Sequence, residues 1–189
     1  MPETTLTACQ ALNGYHKRFG DTALKELTNQ SLVSIAVPLG GDDALREAMT
    51  SAYGATFPAP GSTILSTDGS IRFLGLQSEE CFALFESNGN EAVGIISNAL
   101  GEAAYYTDQS DGWAMLLLSG PLALTSLERI CTLDLAPTRF SLGSVARTAM
   151  EHLGVIVLHN DKDSYLLMSP RSSAPSFLHA VETSIKNVL

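Results

Sequence analysis

Residues able to do chemistry are sparse in this sequence, and few stand at the spacings that chemistry needs. Gly40-Gly41 precedes a helical stretch, as a phosphate cradle does. However, Asp42 and Asp43 sit where the anion would bind, and no Lys follows as a P-loop requires. A turn entering a helix is the expectation, with an Asp as cap. No GxGxxG occurs, so no dinucleotide site is recognisable. Ser119-Gly120-Pro121 follows a strand and opens a helix, like a nucleophile elbow, but it lacks the flanking glycines of GxSxG. Cys9, Cys81 and Cys131 stand far apart with no CxxC, which excludes zinc ribbons and dithiol redox motifs. Cys131 falls on an apolar helical stripe and reads as a small core residue. His16, His152, His159 and His179 are scattered, with no HExxH or i,i+4 pair. Asp161 and Asp163 flank Lys162 without the further oxygen ligands and glycine of a calcium loop. Glu79-Glu80 reads as a charged loop.

Two places do not reduce so easily. Asp108-Gln109-Ser110-Asp111-Gly112-Trp113 sets the single tryptophan just after a tight polar turn. Tryptophan is enriched at interface hot spots as well as in cores. Arg171-Ser172-Ser173 lies where a strand meets the last helix, and Arg171 can pair with an acidic partner. Tyr15 and Phe19 belong to a poorly periodic opening segment that either orders by docking onto a partner or folds irregularly over its own domain. The expected functional residues are therefore those of a partner interface: Tyr15, Phe19, Trp113 and Arg171. No catalytic, cofactor-binding or metal-ligating residue is expected.

Composition points the same way. Of 189 residues 45% are hydrophobic and only 16% charged, against a usual charged share of about a quarter. Disorder as the main state is excluded. Such a chain buries a great deal or offers an apolar surface to a partner. Net charge is −9, which argues against nucleic acid, since phosphate binding needs clustered cations. The longest apolar run, Ala114 to Leu118, is too short to span a bilayer. The opening residues lack a signal-peptide pattern, and an odd cysteine count fits a reducing compartment. A cytoplasmic location is expected.

The elements that would position these residues repeat. Residues 1–30 read as an arm and 31–189 as one α+β domain. Val33, Ile35 and Val37 alternate as a strand. Leu45, Ala48, Met49, Ala52 and Tyr53 mark a helix. Strands follow at Thr63 to Ser66, Ile71 to Leu76 and Cys81 to Glu86, the first two joined by an Asp68-Gly69 hairpin turn. Asn88-Gly89-Asn90 starts a helix with a stripe of Ala92, Ile95, Ile96, Ala99 and Leu100. The order then recurs: a strand at Trp113 to Leu118, a helix opened by Pro121, strands at Ser144 to Met150, Val155 to Leu158 and Tyr165 to Met168, and a helix from Pro175 with Leu178, Val181, Ile185 and Val188. A polar hairpin, His159 to Ser164, joins the last two strands. The predicted architecture is a duplicated β-α-β-β-β-α unit, 31–103 and 104–189, offset by roughly eighty residues, with mostly antiparallel sheets covered by helices.

At the two places singled out, the sequence resembles the gamma subunit of heterotetrameric sarcosine oxidase. That family has an Asp-x-Ser-Asp-Gly block, an apolar strand and Ser-Gly-Pro, matched by Asp108 to Gly112 and Ser119-Gly120-Pro121. Cys131, Asp134-Leu135 and Ala146-Arg147-Thr148 continue the match, as do Arg171-Ser172-Ser173-Ala174 and, in the first half, Ile71 to Phe85. Ser173 replaces an aromatic, and Leu76 stands where a proline is usual. The resemblance implies a fold like the folate-binding domain of aminomethyltransferase. It implies an accessory, non-catalytic chain that stabilises flavoprotein subunits oxidising sarcosine or a related N-methyl amino acid. Its partners would be alpha, beta and delta subunits, which would carry the FAD, FMN, NAD, zinc and tetrahydrofolate. The alternative is a folate-dependent one-carbon transferase or folate-binding protein acting alone, for which Asp108 and Asp111 are the candidate carboxylates.

Overall fold

Runs such as Ala114 to Leu118 and Val155 to Leu158 carry no polar alternation because both faces of their strands are buried. In the computed structural model, which describes residues 9–87 and 91–189, eleven strands and four helices form two sheets, each covered on its outer face by a helix pair. In chain order these are β1 (His16–Phe19), β2 (Thr22–Glu26), β3 (Gln30–Ala36), α1 (Asp42–Tyr53), β4 (Thr63–Leu65), β5 (Ile71–Gly75), β6 (Glu80–Glu86), α2 (Ala92–Leu100) and β7 (Tyr105–Asp108). There follow β8 (Trp113–Ser119), α3 (Ala123–Glu128), β9 (Val145–Met150), β10 (Leu153–Asp161), β11 (Ser164–Pro170) and α4 (Ala174–Lys186). One sheet runs β4-β5-β6-β3-β7 and the other β1-β2-β8-β11-β10-β9, with every pairing antiparallel.

Side chains alternate between two cores along each central strand. Val155 and Val157 of β10, with Tyr165 and Leu167 of β11, face α3 and α4 through Leu127, Phe177, Val181 and Ile185. The intervening Ile156, Leu158, Leu166 and Met168 face the other sheet and meet Leu32, Leu74, Phe82 and Leu84. Val33, Ile35, Phe73 and Ala83 face α1 and α2 through Leu45, Met49, Ile96 and Leu100. The layers are thus helix, sheet, sheet, helix. No described helix is long and apolar enough to cross a membrane.

The expected arm does not stand apart. β2 pairs with β8, Leu24 opposite Leu118, and Thr22, Leu24 and Glu26 are buried. The period-2 pattern is present but carries Thr and Glu at inward positions, so hydropathy alone conceals the strand. The expected boundary at 103/104 also shifts, because β7 pairs with β3 in the first sheet. These two departures are one feature. β2 directly precedes the first repeat and β7 the second, yet each joins the other repeat's sheet at the same place, beside β3 or β8. The halves exchange their first strands. The outer edges also touch, through an antiparallel bridge between Ser62 and Ser144.

Local expectations differ at several points. Gly41 is the N-cap of α1 with no side-chain cap, and Asp42 and Asp43 lie in the first turn, where carboxylates favour the helix dipole. Ala52, Ile95 and Ala99 face solvent. α3 begins at Ala123, past Pro121, and Cys131 lies beyond it in a bridge to Met150. Phe177, not expected in the core, is fully buried. His159 sits on β10, buried, with its ring stacked on Tyr165 at 4.7 Å and Nδ1 2.9 Å from the Phe140 carbonyl oxygen. Asn88-Gly89-Asn90 lies outside the described residues.

Candidate partner interface

The turn before Trp113 is built by its own polar side chains. Asp108 accepts the Ser110 N–H at 2.9 Å, Ser110 Oγ accepts the Leu32 N–H at 3.0 Å, and the Gly112 N–H closes onto Gln109 at 3.0 Å. Trp113 then starts β8 opposite Pro170 at the end of β11. Arg171 follows Pro170, so the register of two strands brings Trp113 and Arg171 to the same sheet end. They line one cleft of about 220 Å³, with Cys9, Glu26, Ser110 and Asp111 among its walls. The Arg171 guanidinium donates to the Cys9 carbonyl. Behind the cleft, the Arg147 guanidinium lies 5.9 Å from both the Trp113 and Phe82 rings, tying the two sheets together.

Glu26 is the wall that sequence reasoning missed. Its buried carboxylate accepts the N–H groups of Leu12 (2.9 Å) and Gly14 (2.7 Å), and so holds the chain leading into β1. The available signal was an acid at an inward position of a period-2 pattern. A half-buried indole, a guanidinium and carboxylates suit recognition of a polar or aromatic side chain. They contain no nucleophile and base in contact. Asp108 is exposed and engaged in its turn, and Asp111 is exposed at the cleft rim.

Tyr15 and Phe19 lie elsewhere. Phe19 is only 6% exposed and packs in this chain's own core with Leu24 and Leu118, so it offers little to a partner. Tyr15 is half-buried, and its hydroxyl donates to the Glu182 carboxylate on α4. Burial first, then that bond and the negative charge, push the Tyr15 hydroxyl well above its ordinary range. Glu182 also accepts from Lys186 (2.7 Å) and Lys17 (3.3 Å). Hydrogen bonds from Lys186 and then Tyr15 hold its carboxyl down at about 2. A depressed folded pKa contributes stability above the unfolded value of 4.5, lost as pH falls towards about 2. Glu182→Gln is therefore expected to lower stability by about 1 kcal/mol at pH 7. In urea unfolding curves the gap between variant and wild type should narrow as pH falls towards about 3. A gap independent of pH would show that the lost contact is not ionic.

The remaining candidates lie apart from this cleft. Cys81 is buried, and burial, then Glu80, push its thiol well up; burial likewise raises Cys131, so both are poor nucleophiles. Ser119 lies half-buried between Ala23 and Ser164. His152 and His179 border an open groove of about 500 Å³ beside α4. Glu80 accepts the Ser34 hydroxyl at 2.6 Å, and Asp161 accepts the Lys162 N–H at 2.7 Å. Among the described residues no three of His, Cys, Asp and Glu gather as a metal site.

No family model matches the chain. It is 25% identical over 155 residues to a sarcosine oxidase subunit gamma from Corynebacterium sp. strain P-1, covering 82% of this chain and 74% of that protein. Its fold matches a chain of heterotetrameric sarcosine oxidase from Corynebacterium sp. U-96, with TM-score 0.74 and 23% identity, covering 88% of this chain and 84% of that one. It also matches the glycine cleavage system aminomethyltransferase T from Bartonella henselae, with TM-score 0.62 and 11% identity, over 85% of this chain and 45% of that one. The expected duplicated α+β architecture is that of these proteins.

Proposed function

We propose that this chain, similar in sequence to sarcosine oxidase gamma subunits and sharing the fold of a chain of that oxidase, is the accessory subunit of such a complex. The observation that carries the reading is the similarity across 82% of the chain to a protein of that name. The geometry supports it, because the cleft at Trp113 and Arg171 is furnished for recognition. On this reading the alpha, beta and delta subunits are the partners. The flavins, nicotinamide cofactor, zinc and tetrahydrofolate reside in them, and the substrate is sarcosine or a related N-methyl amino acid. The chain contributes apolar and polar surface that stabilises its larger partners, and it works in the cytoplasm. Trp113 and Arg171 belong to the contact surface.

The one-carbon transferase reading needs a carboxylate poised in a cavity beside a bound pterin. Asp108 and Asp111 do not meet that need, since both are exposed. Purifying the tagged chain from its native host tests the proposal. The expected result is co-purification of oxidase subunits in fixed stoichiometry, with flavin absorbance. A lone, colourless chain that releases heat on titration with tetrahydrofolate would overturn it in favour of the transferase reading.

A further inference from the structure

One end of the first sheet gathers acidic and apolar side chains that the fold itself does not use. Ala36, near the end of β3, is paired with Glu80 on one side and Tyr105 on the other. The next residue, Val37, donates its N–H to the Glu79 carbonyl. The chain then turns through Leu39 into α1, whose first turn carries Asp42 and Asp43. The turn Gly101–Ala103, which carries the exposed Glu102 and packs near α1, leads into Tyr105 at this same end. Leu39 and Tyr105 stand out into solvent, 107% and 68% exposed.

Among the described residues no salt bridge pairs these carboxylates. Residues 31–110 contain ten of the twenty acidic side chains but only two of the eleven basic ones, Arg46 and Arg72. Arg46 lies over the Phe57 ring at 5.7 Å, and Arg72 is half-buried in the field of Asp161. The salt bridges among the described residues are those of Glu182, in the other half. Like charges collected in this way oppose folding. The duplicated architecture does not require them, for the equivalent helix α3 has no acid in its first turn. An exposed leucine and tyrosine sharing a sheet end with exposed carboxylates have the composition of an interface, apolar anchors beside charged groups.

We infer that this end, with Leu39 and Tyr105 beside Asp42, Asp43, Glu79 and Glu102, docks onto a cationic surface of a larger protein subunit. The inference rests on the subunit reading above and adds to it the surface and the sign of the partner's charge. Opposite potentials steer the encounter and fix orientation, while the two apolar side chains supply contact area. The occupant is a protein rather than a metal ion, since no metal-binding cluster is formed here, and rather than an anion, which the carboxylates repel.

The test compares complexes recovered from the native host through a tag on this chain. Asp42→Lys, Asp43→Lys and Glu102→Lys together are expected to lower recovery of the larger subunits at least ~10-fold at physiological salt. Leu39→Asp alone is expected to lower it about 5-fold. The control pair Glu128→Lys and Glu151→Lys, on exposed acids of the second half, should leave recovery unchanged. Melting of each isolated variant checks that loss of assembly is not loss of folding. If the triple reversal fails to fold, Leu39→Asp decides, because a fully exposed side chain has no packing to lose. Normal recovery by Leu39→Asp and by every folded variant would overturn this surface and leave the subunit reading standing. Absence of partners with the wild-type chain would overturn both.

Discussion

Removing residues 1–27 abolishes cooperative unfolding of what remains. These residues read as an arm, and an arm that merely docks would leave the melting of 28–189 unchanged. The structure makes His16–Phe19 and Thr22–Glu26 two strands of the second sheet. Leu24 is fully buried and Phe19 nearly so, and each is worth about 1.5–3 kcal/mol of apolar burial. The β2–β8 ladder runs from Ala23 opposite Ser119 to Glu26 opposite Leu116, at about 1 kcal/mol per hydrogen bond. Leu27 adds a further bond across the cut, its N–H donating to the Met115 carbonyl at 2.9 Å. The sum rivals the whole stability of a typical domain, about 5–15 kcal/mol. Truncated protein should therefore show no sigmoidal transition in heat or urea, and a peptide spanning residues 9–27 added in trans should restore part of it. A truncated chain that melts cooperatively within a few degrees of full length would show the exchanged strand to be an accessory.

Much of the fold was legible because strands and helices carry their own periods. The β8 and β11 runs, the Asp68-Gly69 hairpin and the helix opened at Pro175 follow from residues a few positions apart. The duplication was legible as order alone. Strand exchange was not, because it is a relation between residues 69 to 96 positions apart. Nothing in the local pattern of Thr22 to Glu26 says which sheet it joins. His159 was misread for a related reason. A polar residue beside Asn160 and Asp161 looks like turn, yet the ring stacks on Tyr165 and its Nδ1 meets the Phe140 carbonyl, satisfying it in the interior.

The candidate surface was legible only as types. Trp113 and Arg171 stand out in sequence as a lone tryptophan and an arginine at a strand–helix junction, and antiparallel pairing of β8 with β11 converts a separation of 58 positions into adjacency. Tyr15 and Phe19 stood out for the same reason, as aromatics in an aperiodic stretch. There tertiary packing claims them for the chain's own core and for α4. The acidic end carries no motif, since Leu39, Glu79, Glu102 and Tyr105 come together only through β3 and its neighbours.

Gly120→Ala is expected to cost on the order of 3–5 kcal/mol. Two terms combine at this position. Gly120 has φ of +119°, which side-chain-bearing residues rarely adopt. A Cβ there would lie 2.5 Å from the Asp21 carbonyl oxygen and 2.7 Å from the Thr22 Cα, which is backbone of the exchanged strand and cannot swing aside. Gly20→Ala separates the terms. Its φ is +59° and nothing lies within 4 Å of its Cβ position, so only conformational strain of about 1–2 kcal/mol applies. If Gly120→Ala costs no more than Gly20→Ala in urea unfolding, β2 does not pass against the Gly120 turn as described. The expected inequality also explains Ser119-Gly120-Pro121 without catalysis. The Gly120 N–H donates to the Asp163 carbonyl, and Thr22 Oγ1 accepts the Leu122 N–H across the same crossing. A sequence that mimics a nucleophile elbow is the point where one half of the molecule threads its first strand into the other.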